Sequence, residues 1–266
     1  MQVWANTNRG WLLAQGIDYP DRVQALSVPK HQFLVPMLWE NRLDDYHKVM
    51  RGARAETVFL STEGLSNHFH DYSAGVLAAF RAANAGIRVS AVFVQRDPLD
   101  WLRALYKQSL LNPTNPKLHY GTALQFSEFI ALRRIARMVE FDRLSRDVAD
   151  GFGAQELIRI DLAGGWLTPL GAHLGVDPAG SVPVAGAQNV SVPDALAELV
   201  RQVNGMGLEA PLRQAFLALV QTSERSQHAM LLESVTGLHQ SPVRAAQLAA
   251  CLARLQETLA TLGPRW

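Results

Sequence analysis

The chain has 266 residues, 48% hydrophobic and 18% charged, and 25 Lys+Arg against 24 Asp+Glu give a formal net charge of +1. This excludes a disordered chain and gives no electrostatic case for a nucleic-acid partner, so any anion site must be local. Cys251 is the only cysteine, which excludes an intramolecular disulfide and a cysteine metal cluster and fits a reducing cytoplasm.

From the N-terminus, Trp4, Trp11 and Leu12 give apolar weight to a helix over 3–15, which exits through a Gly16–Pro20 turn. A helix over 38–51, a strand over 56–61 and a helix over 71–85 that stops at Gly86 come next. The β-branched run Arg88–Gln95 reads as a buried strand, followed by a helix over 98–111 and a break at Asn112-Pro113-Thr114-Asn115-Pro116. Two helices, 123–139 and 141–150, precede a third strand, Glu156–Leu162. Strands separated by helices mean a parallel sheet with right-handed crossovers. Val176–Gln188, rich in Pro, Gly and Ala, reads as a loop, and helices over 208–234 and 242–262 follow. Leu248, Leu252, Leu255, Leu259 and Leu262 alternate by four and three, a seam that serves either packing on its own domain or a homodimer contact. The expected organisation is one domain over 1–266, with an α/β core to residue 175 and a helical part over 176–266. No apolar run approaches the roughly 18 residues of a membrane span. The N-terminus carries no basic-then-apolar leader pattern, and a cytoplasmic location is expected.

The most informative stretch is Gln95-Arg96-Asp97-Pro98-Leu99-Asp100-Trp101. Asp97 can cap the next helix and Pro98 suits its first position, where no backbone N–H is needed. Arg96 is thereby held at the carboxyl end of a strand beside a helix N-terminus, the edge where open α/β sheets bind ligands and where phosphate is favoured. The competing reading is an Arg paired with Asp97, Asp100 or a neighbouring loop.

The run Val92–Gln108 around that stretch resembles the 3′-phosphate-binding segment of bacterial sulfotransferases that use 3′-phosphoadenosine 5′-phosphosulfate (PAPS). Thr57–Leu65, and Asn189-Val190-Ser191 with Leu199–Asn204, are similar to further stretches of that family. The resemblance covers residues 2–204 in patches. It implies an α/β fold with a three-layer parallel sheet of the P-loop nucleoside triphosphate hydrolase-like type and a helical C-terminal third. It further implies PAPS as sulfuryl donor, no metal, and a hydroxyl of a glycan, lipid or small metabolite as acceptor.

Two departures qualify the match. The family opens with a strand and a Lys-[Ser/Thr]-Gly-Thr-Thr loop that holds the 5′-phosphosulfate, and this sequence has neither that loop nor a G-x-x-x-x-G-K-[ST]. Gln2–Pro20 resembles the helix after that loop, so the chain is expected to start one strand and one loop late, leaving a gap in the middle of the sheet. Transfer would then require an upstream loop. Ala104 stands where the family places a serine that shares the 3′-phosphate, and losing such a charge-assisted bond costs about 1.5–3 kcal/mol. Lys107 and Ser109 lie nearby.

In this reading Arg96 holds the 3′-phosphate, aided by Ser61 and Lys107. Glu63, at the exit of the second strand, is the first candidate for general base toward the acceptor, and a turn-capping role competes with it. His68 and His70 are the alternative bases; their i, i+2 spacing lacks a third metal ligand. Two other readings stay open: a truncated relative that binds nucleotide or glycan without transfer, and an unrelated α/β phosphosugar or nucleotide enzyme.

Overall fold

A computed structural model describes residues 1–20, 31–184, 192–221 and 242–262. Its contacts divide the chain into two compact units: Met1–Asp97 with Arg133–Ala187, and Pro98–Leu132 with Gln188–Trp266.

The first unit opens with α1 (Gln2–Thr7) and α2 (Arg9–Ala14), where one helix is expected. Asn8 makes the break. Its buried side-chain amide donates to the Trp4 and Val182 carbonyls, 3.0 Å each, and accepts from the Val182 N–H at 2.7 Å. A side chain bonding three backbone groups competes with helix continuation.

The expected turn after α2 contains β1 (Ile17–Asp18), which pairs in parallel with β2 (Thr57–Val58). The strand expected over 56–61 therefore keeps only two ladder residues, because His31 takes over the Ser61 backbone. The Ser61 carbonyl accepts from the His31 N–H, and the Ser61 N–H donates to His31 Nδ1, both at 2.9 Å. The helix expected over 38–51 is two, α3 (Leu34–Trp39) and α4 (Asp44–Arg51), interrupted at Asn41. Asn41 has φ 52°, a left-handed conformation that asparagine tolerates. Next come α5 (Gly64–Asn67), α6 (Ala74–Ala83), capped by Ser73 Oγ, and β3 (Ser90–Gln95).

The helices α7 (Pro98–Leu111) and α8 (Phe126–Ile130) belong to the second unit. The chain returns to the first with α9 (Arg133–Met138), α10 (Phe141–Phe152), β4 (Glu156–Asp161) and α11 (Leu167–Leu174). Gly153 and Gly175, both at φ 71°, end α10 and α11 in the left-handed conformation suited to glycine. β3 and β4 pair in parallel from Ser90↔Glu156 to Gln95↔Asp161.

Along β3 side chains alternate between two apolar clusters, and Phe59 and Leu60, just after β2, divide between the same two. Ile17, Phe59, Val92, Val94, Ile158 and Ile160 join a cluster with Trp4, Leu12 and Leu170. Leu60 and Phe93 join another with Leu38, Val76, Val148 and Phe152. No backbone hydrogen bond joins β2 to β3 among the described residues. The described strands thus form two separate two-stranded parallel sheets, where one continuous sheet is expected.

The second unit adds α12 (Asp194–Gly205), α13 (Ala210–Gln221) and α14 (Pro242–Leu262). Residues 98–132, expected in the α/β core, pack here because Leu110 lies inside this unit's apolar cluster and Tyr106 and Leu111 rest on it. Leu248, Leu252, Leu255 and Leu259 are buried in the same cluster with Leu196, Val200, Leu212 and Phe216, so the leucine seam is engaged within the chain. The rest of the helix expected over 208–234, beyond Gln221, lies outside the described residues. So do Asn189, Ser191 and the end of the 176–188 loop, while Val184 packs on the first unit's core and Ser181 Oγ accepts from Trp4 Nε1 at 2.9 Å. Among the described residues no helix is long and apolar enough to cross a membrane.

Candidate functional site

The first unit's strand exits hold three polar groups with bonding capacity unspent among the described residues. Gln95 closes the β3–β4 ladder opposite Asp161, and its buried Oε1 has no hydrogen bond among the described residues. Arg96 follows, half-buried, with no hydrogen bond or ion pair among the described residues. Asp100, one partner that competes for it in sequence, lies 3.6 Å from Arg103. Beyond β2, Ser61 is 4% exposed, and its Oγ is likewise without a partner among the described residues. A buried polar atom left unpaired costs about 1–3 kcal/mol, so such atoms mark sites of ligand contact or stored strain.

The segment after Ser61 is fixed by its backbone. Thr62 Oγ1 donates to Gln32 Oε1 at 3.0 Å and accepts from the Gly64 N–H at 3.2 Å. A Cβ at Gly64 would run into the Val35 side chain, so only glycine fits there. Glu63 opens α5, its carbonyl accepting from the Asn67 N–H and Ser66 Oγ at 3.1 Å each. Its carboxylate is exposed, without the partial burial that suits a general base.

The two histidines of this loop part company. His68 is 7% exposed, packs edge-on against Trp39, and sits with Nδ1 3.2 Å from both Asp71 Oδ2 and Arg134 Nη2. Arg134 closes that network at 2.9 Å from Asp71 and also donates to the Asn67 carbonyl. Burial alone would raise the Asp71 carboxyl, but hydrogen bonds from His68 and Arg134 win and hold it below its ordinary value. His70 instead lines a cleft of about 210 Å³ with Arg137, Glu140, Arg143, Leu144 and Asp147. Desolvation there, and the Arg137 guanidinium, push its imidazole below the ordinary value.

Lys107 is in the second unit, where its ammonium lies 2.6 Å from Asp194 and holds that carboxyl down. Ser109, on the same helix, has a buried Oγ with no partner among the described residues. Arg201, part of a resembling stretch, is committed to Glu198 at 2.6 Å, whose carboxyl it lowers to about 2.

Sequence reasoning missed His31. It is 3% exposed and bridges the exits of β1 and β2, with Nε2 3.2 Å from the Pro20 carbonyl and Nδ1 bound to the Ser61 N–H. Its only signal in the sequence is a histidine just ahead of the apolar run Phe33–Leu38, which says nothing of its partners.

No family model, curated protein or solved structure matches the chain. Among the described residues no group of three or more His, Cys, Asp or Glu side chains is arranged to hold a metal ion. Chemically, Arg96 at the exit of β3 offers a cation and Ser61 beyond β2 a hydroxyl donor, groups suited to an anion, while the Gln95 amide oxygen can only accept.

Proposed function

We propose that the first unit binds a 3′-phosphorylated adenosine nucleotide at its strand exits, as a relative of the PAPS-dependent sulfotransferases. The observation that carries this reading is Arg96, a half-buried guanidinium at the carboxyl end of a paired strand with no carboxylate spent on it among the described residues. Arg96 would hold the 3′-phosphate by paired charge-assisted hydrogen bonds, and Ser61 Oγ would add a donor. Ala104 has no donor to offer, and the Lys107 ammonium is held by Asp194. PAPS, when bound, supplies an activated sulfuryl group; Glu63 would take the proton from a hydroxyl of a glycan, lipid or small metabolite.

The reading extends to the fold. The two parallel pairs would be the flanks of one three-layer sheet of the P-loop-like type, with a further parallel strand between β2 and β3. Supporting this, β3 and the two residues directly after β2 send side chains into the same two apolar clusters.

A second reading, nucleotide binding without transfer, draws on the base candidates: Glu63 is exposed and His68 is committed to Asp71 and Arg134. Calorimetric titration with 3′-phosphoadenosine 5′-phosphate and with 5′-AMP tests the binding that both readings share. The 3′-phosphorylated nucleotide is expected to bind at least tenfold more tightly, and equal affinities would remove the proposal.

A further inference from the structure

Ser61 owes its position to His31. The Ser61 N–H can only donate, so His31 Nδ1 must accept, and the ring proton belongs on Nε2, facing the Pro20 carbonyl at 3.2 Å. The His31 backbone N–H closes the pair by donating to the Ser61 carbonyl at 2.9 Å. The ring is sandwiched in the first unit's core, its centroid 4.5 Å from that of Tyr19 and 6.2 Å from that of Phe33. Two of these three hydrogen bonds reach Ser61, and the one through Nδ1 needs a neutral imidazole, whereas donation from Nε2–H to Pro20 would survive protonation.

We propose that neutral His31 is a positioning residue that clamps the Ser61 peptide between the exits of β1 and β2 and so aims the Ser61 hydroxyl, and that protonation of the ring opens the clamp. A proton on Nδ1 would abolish the acceptor for the Ser61 N–H and set two N–H groups face to face. The charged and titratable groups that bear on the ring among the described residues are Arg9, from α2, and Tyr19, from the end of β1. Arg9 donates to the same Pro20 carbonyl at 2.9 Å and lies 5.6 Å from the Tyr19 ring centroid, so a second cation at His31 would meet the first. The Tyr19 phenol, raised to about 12 mainly by burial, stays neutral and cannot compensate it. Burial accordingly lowers His31 from 6.5 to about 4, with the Arg9 charge acting in the same direction.

The direction of the pH effect follows. A histidine whose folded pKa lies below its unfolded one contributes stability that is full above the unfolded value and is lost as pH falls toward the folded one. Between pH 6.5 and 4 the unfolding equilibrium constant is expected to rise by about a hundredfold from this group alone. The clamp itself stays shut over most of that window and opens near its lower end.

The clamp stands on local geometry; only its consequence for nucleotide affinity rests on the proposed function. The test is an NMR pH titration of the wild-type chain, following the His31 ring nitrogens and the exchange protection of the Ser61 amide. Expected are an Nε2–H tautomer that persists to below pH 5 and a Ser61 protection factor that falls at least tenfold as the ring titrates. An Nδ1–H tautomer, or a ring titrating near 6.5 with Ser61 protection unmoved, would overturn the proposal whatever the nucleotide result. His31→Asn, whose side-chain oxygen can replace Nδ1 but cannot be protonated there, should keep Ser61 protected at neutral pH and flatten its pH dependence. If the variant does not fold, the wild-type titration still decides. In the wild type, affinity for 3′-phosphoadenosine 5′-phosphate should fall as the clamp opens and should not fall over the same range in His31→Asn. A nucleotide that never binds, with the clamp titrating as expected, would count against the proposed function alone.

Discussion

Arg213 carries its charge into the second unit, where its oxygen partners among the described residues are neutral. It is 7% exposed and donates to the Leu110 carbonyl at 2.7 Å, the Asn112 carbonyl at 3.0 Å and Asn204 Oδ1 at 2.7 Å. Leu110 and Asn112 stand at the end of α7, where helix carbonyls lack intrahelical partners, and a cation there is favoured by the helix dipole. Burial lowers the guanidinium pKa without neutralising it. Arg213→Met should leave these three acceptors short of a donor and destabilise the second unit by about 2–4 kcal/mol, given 1–3 kcal/mol per unsatisfied group with partial relaxation. Urea unfolding followed at α-helical circular dichroism measures it, and a loss under 1 kcal/mol would contradict this role. At this scale the sequence exposes what a residue adjoins along the chain, and little else. Arg96 was legible because a strand run, Asp97 and Pro98 bracket it. Ser61 was legible as a strand-exit residue, but its clamp was not, since His31 lies thirty residues upstream along a chain that returns to it only in the fold. His68 illustrates the converse: its i, i+2 partner His70 was visible, but the Arg134 that engages it comes from a distant helix.

Elements were legible where periodicity alone decides them. α7 spans Pro98–Leu111 as expected, because Pro98 fixes its start and Asn112-Pro113 ends it. α14 follows its leucine period, while the partner of the seam lay beyond sequence reach: packing within a domain and packing against a second copy use the same stripe. The structure places these leucines against α12 and α13. Leu255 is fully buried there, so Leu255→Ala should cost about 2–5 kcal/mol through lost burial and the residual cavity. A midpoint shift in urea unfolding that is independent of protein concentration is the expected result; a concentration-dependent shift would move the seam's role toward association. Boundaries failed where a side chain captured backbone groups. Asn8 divides the first expected helix, and His31 ends the ladder after β2. Both are polar residues satisfying peptides far away in sequence, which no local propensity encodes.

Across the molecule, the proposed three-layer sheet makes a demand on β3. Its six residues bond to β4 along one edge, and no ladder forms on the other among the described residues. Exposed strand edges are open to further pairing. If a parallel strand belongs between β2 and β3, a chain extended at its N-terminus by an apolar six-residue strand and a short glycine-containing turn should slow hydrogen exchange at the β3 amides that face away from β4. Slowing of about tenfold or more is expected; unchanged exchange at those amides would argue that the two pairs are complete as they stand. The alternation of strand and helix was readable from the sequence, and so was the parallel sense of pairing. The division into two units was not, because residues 98–132 leave the strand order to pack with helices almost a hundred residues away, through Tyr106, Leu110 and Leu111.

All of the functional reading turns on one guanidinium. The most direct measurement is the affinity of the wild-type chain and of Arg96→Ala for 3′-phosphoadenosine 5′-phosphate, with 5′-AMP as the control. Arg96 is half-buried, with no bond to another described side chain, so its removal should leave the fold intact by circular dichroism. Binding of the 3′-phosphorylated nucleotide should weaken by roughly a hundredfold or fall below detection, matching the loss of paired charge-assisted bonds, while whatever 5′-AMP binding exists stays level. Undiminished binding in Arg96→Ala would contradict the account.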